Sequence, residues 1–166
     1  GNFTLPNKLR VALVKLDGAD QRKYFWNDED YLKTQQSYID RFIQKLTVSP
    51  RVNKVTVIPD LLISRSPSFT NIREAAVRMQ ADVVVAYSIS SDIYTRYKFL
   101  AKADIKAFAT TQLILLDVRT GLIPFSIVVT KDVLSKKKNE EMDIAETNNR
   151  IKSEAVQLTI DDIGQK

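Results

Sequence analysis

The chain of 166 residues contains no histidine and no cysteine. Those two absences remove the commonest general base, thiol nucleophiles, disulfides, haem attachment and nearly all zinc and iron–sulfur sites. Any metal would have to be held by oxygen ligands. Glycine is almost as scarce, with four residues at positions 1, 18, 121 and 164. Four glycines so dispersed build neither a P-loop nor a GxGxxG turn, which excludes nucleotide binding by those routes. No apolar run approaches the roughly 20 residues that a membrane-spanning helix needs. The abrupt start at Gly1-Asn2-Phe3 is read as the remnant of a cleaved tag, so the absence of a signal peptide says nothing about compartment.

What is present points to one ordinary core. Hydrophobic residues make up 44% of the chain, and no long block of a single charge sign occurs. That balance predicts a single domain over 1–166, with 1–8 a loose lead-in. The net charge of +5 comes from 25 basic and 20 acidic residues mixed along the chain. It favours solubility and weak attraction to anionic polymers without amounting to a nucleic-acid signature.

The patterning predicts a mixed sheet of about five strands with helices on its faces, an α/β (α+β) fold in the order β-α-β-α-β-β-β-α. Leu9–Leu16 is a branched apolar run closed by Asp17-Gly18, a first buried strand. A helix follows with Leu32, Ile39, Phe42, Ile43 and Leu46 on one face, capped by Asn27 or Asp28 and ended by Pro50. The acidic cluster 27–30 is assigned to capping and the helix dipole rather than to calcium, since it lacks the glycine-containing alternation of a calcium loop. Val52–Ile58 forms the next strand, and Leu61-Leu62-Ile63 is expected to dock as a short turn. In the second helix Ile72, Ala75, Ala76 and Met79 recur at helical spacing. Its cap is Ser68, Thr70 or Asn71, with Glu74 in capping-box register to Asn71. Its small residues allow close approach to a sheet.

Val83–Ile89 is continuously apolar, which predicts a central strand covered on both sides. From Lys102 the chain alternates strictly, with Ala103, Ile105, Ala107, Ala109, Thr111, Leu113 and Leu115 on one face. It becomes apolar on both faces near Leu113–Leu116, where a helix is expected to cover the second one. Asp117–Leu122 is a hairpin turn with Gly121 at positive φ. Ile123–Val133 returns as a strand, and Pro124 places its start at an edge. Residues 134–141 form a polar linker to a last helix, roughly Asp143–Ile163, with Ile144, Ile151, Ala155 and Leu158 on one stripe.

Catalytic chemistry finds little support. Ser135-Lys136-Lys137-Lys138 matches SxxK in form, but it lies among charges and without companion motifs. Adjacent acids such as Asp161-Asp162 point to different faces of a helix. The densest polar–aromatic cluster is Tyr94, Arg96, Tyr97, Lys98, Phe99 and Lys102, the candidate partner-binding residues. Stacking rings beside cations can meet single-stranded nucleic acid, but the same cluster also fits a hairpin end whose tyrosines pack across strands, or a protein-binding edge.

Three segments carry a family resemblance: Arg10–Val14, Ala75–Val85 at the second helix-to-strand junction, and Leu113–Gly121 at the hairpin. Together they resemble the superfamily of bacterial envelope lipoproteins that includes the curli-secretion lipoprotein and the lipoprotein activators of penicillin-binding proteins. Its members carry a "GAD" turn into a central strand and a "lvD..TG" hairpin. Gln80 stands where the family usually has glycine, and Phe125 replaces its usual tryptophan.

The resemblance implies an α/β sandwich, export to the periplasm, and anchoring at the outer membrane through a lipidated cysteine upstream of Gly1. It implies a non-catalytic role with no cofactor, in which the domain assembles or regulates an envelope complex through a protein partner or by homo-oligomerisation. Membrane contact would then be through the lipid anchor alone. The competing expectations are a nucleic-acid or anionic-polymer binding module and a hydrolase using carboxylate or Ser/Lys chemistry.

Overall fold

The computed structural model describes residues 8–16, 29–63, 68–96, 104–136 and 144–164. The strands are β1 (Leu9–Lys15), β2 (Val52–Val57), β3 (Val83–Arg96), β4 (Asp104–Asp117) and β5 (Phe125–Lys136). The helices are α1 (Glu29–Thr47), α2 (Phe69–Arg78) and α3 (Ile144–Gly164). The fold is therefore the expected α+β arrangement, in the expected element order. The five strands lie in the order β2-β1-β3-β4-β5, and β1 runs parallel to both β2 and β3. The connections β3–β4 and β4–β5 are shorter than the dozen residues a parallel crossover requires, so those pairs are antiparallel. Two compact units share these strands, one of Gly1–Ser88 with Gln112–Ile127 and one of Ile89–Thr111 with Val128–Lys166.

In the first unit, α1 carries the chain from β1 outward to β2, and α2 carries it back past β1 to β3. Right-handed crossovers in opposite directions place their helices on opposite faces. Side-chain parity agrees with that rule. Phe42 of α1 packs its ring 4.3 Å from that of Tyr87, on the odd-numbered face of β3. Ile72, Ala75 and Ala76 of α2 share a core with Ala12, Val14, Val84, Ala86, Leu116 and Val118. Thus Val83–Tyr87 is buried throughout, as a central strand with two covered faces should be.

Several local expectations change. Leu32 is exposed and Tyr38 takes its place in the buried stripe of α1, because Tyr38 and Phe42 stand one turn apart. The anticipated caps Asn27 and Asp28 lie outside the described residues. Leu61 and Leu62 form an exposed 3₁₀ turn, and only Ile63 reaches the core. Ser68 caps α2 by accepting a hydrogen bond from the Asn71 amide at 3.2 Å. Glu74 therefore serves no capping box, and it pairs instead with Arg78 one turn on, at 3.0 Å.

The segments that carry the family resemblance converge in this unit. Asp82 exchanges backbone hydrogen bonds with its neighbours, its amide donating to the Arg10 carbonyl at 2.8 Å and its carbonyl accepting from the Val118 amide at 3.1 Å. Its carboxylate accepts from the Arg10 amide at 2.9 Å. Asp117 is buried and accepts from the amide and the hydroxyl of Thr120, which folds the turn that Gly121 closes at φ 76°. Arg73 reaches from α2 to that turn, donating to the carbonyls of Val118 at 2.6 Å and Arg119 at 2.7 Å. Both motifs are thus scaffold, tying β1, α2, β3 and the β4–β5 turn together.

In the second unit, Ala107, Ala109 and Thr111 of β4 and Val129 of β5 form a buried row beneath α3. The helix contributes Ile151, Ala155, Val156, Thr159 and Ile160. Leu158 is half exposed, so the stripe expected through it runs instead through Val156, Thr159 and Ile160. The hydroxyls of Thr111 and Thr159 meet at 2.6 Å and fix the helix to this face. Residues 134–136 belong to β5 and not to a linker, since the strand continues to Lys136; residues 137–143 lie outside the described part.

Candidate partner-binding surface

Alternation along β4 separates two kinds of surface. Its small odd-numbered residues admit α3, while Lys106 and Phe108 are exposed on the opposite face of the same stretch. On β5 that opposite face carries Val128, Thr130, Asp132 and Leu134. Val128 is 64% exposed, Leu134 70% and Phe108 42%, so three large apolar side chains stand on a sheet face that no described element of this unit covers. Two cross-strand polar links hold the face together. The Thr110 and Thr130 hydroxyls lie 2.8 Å apart, and the Lys106 ammonium lies 3.1 Å from the Asp132 carboxylate. Such exposed links add little stability, but they order the strands that display the apolar residues.

β5 is also the end strand of the sheet. Its 12 residues are about twice the usual strand length, and an edge strand leaves alternate N–H and C=O groups unpaired along its free side. Charged residues interrupt it at Lys131 and Asp132, a common way to restrain indiscriminate pairing. A peptide or strand added to such an edge gains main-chain hydrogen bonds, with side-chain identity at alternate positions giving selectivity.

The candidate residues from the sequence are placed only in part. Tyr94 and Arg96 belong to the last turn-ward residues of β3, whose side chains are outside the described set. Tyr97, Lys98, Phe99 and Lys102 lie outside the described residues altogether. Val128 and Leu134 were not among the candidates. Both faces of β5 mix apolar and polar residues, Ile127, Val129, Lys131 and Val133 against Val128, Thr130, Asp132 and Leu134, so the sequence pattern did not distinguish the covered face from the bare one. Among the described residues, no group of three or more acidic side chains is arranged to hold a metal ion.

No family model and no curated protein matches the chain. Solved structures do resemble it. A provisionally assigned neuraminyllactose-binding hemagglutinin homolog from Helicobacter pylori superposes with a TM-score of 0.56 at 14% identity, over 96% of this chain and 82% of that one. A provisionally assigned lipoprotein from Caulobacter crescentus gives 0.51 at 10% identity, over 93% and 85%. Protein XCC0632 from Xanthomonas campestris gives 0.50 at 13% identity, over 99% and 87%. At these identities the likeness is one of fold, shared with the provisionally assigned Caulobacter lipoprotein.

Proposed function

We propose that this chain is a non-catalytic interaction domain of a bacterial envelope lipoprotein, held at the periplasmic side of the outer membrane by a lipid anchor. There it assembles or regulates an envelope complex through protein–protein contacts. The observation that carries the reading is the outer face and end strand of β4–β5, where Phe108, Val128 and Leu134 are exposed and, among the described residues, no further strand pairs with β5. Exposed apolar residues grouped on one face mark a contact surface more often than scattered ones do. The fold shared with the Caulobacter protein supports the lipoprotein part, and the Helicobacter neighbour, named for binding, is in keeping with a binding domain rather than an enzyme.

The test is the gene and its full-length product. An export signal ending in a cysteine should precede this segment, and the product should take up labelled palmitate and pellet with membranes. A gene encoding neither signal nor cysteine, or a full-length product that stays soluble and unlabelled, removes the lipoprotein reading. For anionic-polymer binding, Lys106 is paired with Asp132, and the side chains of Arg96, Lys98 and Lys102 lie outside the described residues.

A further inference from the structure

We infer that the free edge of β5 pairs with the same edge of a second copy of this chain, antiparallel, about a two-fold axis at Lys131. This rests on the contact surface proposed above and names its occupant. An axis perpendicular to the sheet keeps both outer faces on one side and sets residues of like parity opposite each other. With Lys131 on the axis, Val128 faces Leu134 of the second copy, Thr130 faces its Asp132, and Val129 faces its Val133. The two most exposed apolar residues of the strand are thus matched to each other, and a hydroxyl donor meets a carboxylate.

Neighbouring registers do worse. With the axis at Thr130, Val128 faces Asp132, an apolar side chain against a charge. With the axis at Asp132, two carboxylates oppose each other and Thr130 faces Leu134. Of these three registers the one centred on Lys131 matches the apolar residues best, and its seven positions 128–134 supply roughly six to eight main-chain hydrogen bonds across the edge.

One feature opposes the pairing, and it makes the register testable. Lys131 faces its own copy on the axis, and like charges directly opposite on a sheet are destabilising. Lys131 thus acts as a brake on this register, so that the edge pairs weakly and reversibly. Removing the charge should tighten the dimer, and added salt should do the same by screening it.

The chain contains no cysteine, so a single introduced thiol has no other partner within it. Opposed residues in an antiparallel pair have Cα atoms about 4.5–5.5 Å apart, within the range a disulfide spans. Lys131→Cys should crosslink to itself under mild oxidation. Val128→Cys and Leu134→Cys should each stay monomeric alone and crosslink when mixed.

By sedimentation equilibrium, the unmodified protein should show concentration-dependent dimerisation. Lys131→Thr should lower the dissociation constant about three- to tenfold, and Val128→Lys with Leu134→Lys should abolish association. Both lysine positions are exposed, so an unchanged melting temperature should accompany that loss. A protein that remains monomeric at millimolar concentration overturns the proposal, as does self-crosslinking of Val128→Cys as fast as that of Lys131→Cys. Failure here with a lipidated full-length product assigns the edge to a different partner, whereas failure of lipidation leaves the dimer standing.

Discussion

Replacing Gln80 by glycine should stabilise this protein. Gln80 follows the C-cap Met79 of α2 and sits at φ 59°, the left-handed region. Its amide donates to the Val77 carbonyl at 3.0 Å, and the Ala81 amide to the Ala76 carbonyl at 2.9 Å. That pair of bonds is the Schellman ending of a helix, whose left-handed position is normally glycine. A residue with a β-carbon there costs about 1–2 kcal/mol, while glycine returns about 0.5–1 kcal/mol through the entropy of the unfolded chain. The difference favours Gln80→Gly by about 0.5–1 kcal/mol. The Gln80 side chain is exposed, so its loss removes no packing. In urea titrations followed by circular dichroism, the midpoint should rise by about 0.2–0.5 M, given a slope of about 2 kcal/mol/M. Gln80→Ala should leave it unchanged, since alanine meets the same steric penalty. A midpoint that falls with glycine, or rises equally with alanine, refutes the strain argument.

Gly121 makes the opposite case: a β-carbon there would lie 3.0 Å from Nη1 of Arg73, at φ 76°. Gly121→Ala should destabilise by about 1–2 kcal/mol, and by less in an Arg73→Ala background, where the steric part is gone; equal costs in both backgrounds would show that the contact plays no role. Arg73→Met alone should cost about 1–2 kcal/mol, because the two carbonyls it serves are near enough to solvent to recover part of the loss. The buried threonine pair should respond asymmetrically. Thr159 also donates to the Val156 carbonyl at 2.6 Å, so Thr159→Val strands the Thr111 hydroxyl and should cost about 1–3 kcal/mol, whereas Thr111→Val leaves Thr159 its partner and should cost less. The double valine variant should recover most of the loss, and thermal melts of all three check the order.

Much of the architecture was legible in the chain because short-range physics dictates it. The unbroken run Val83–Tyr87 required two covered faces, the small residues Ala75 and Ala76 required close helix contact, and Gly121 required a turn at positive φ. The contact surface was not legible in this way. Val128 lies between Ile127 and Val129, and Leu134 follows Val133, so the local pattern does not tell a covered face from a bare one. Whether their face is covered depends on where α3 settles, and α3 settles on the other face because Ala107, Ala109 and Thr111 leave room for it and Thr159 bonds to it there. By itself the sequence determined the elements and their order. Only the tertiary structure decided which strand ends the sheet and which apolar side chains stay bare, since both follow from long-range packing that no local pattern encodes.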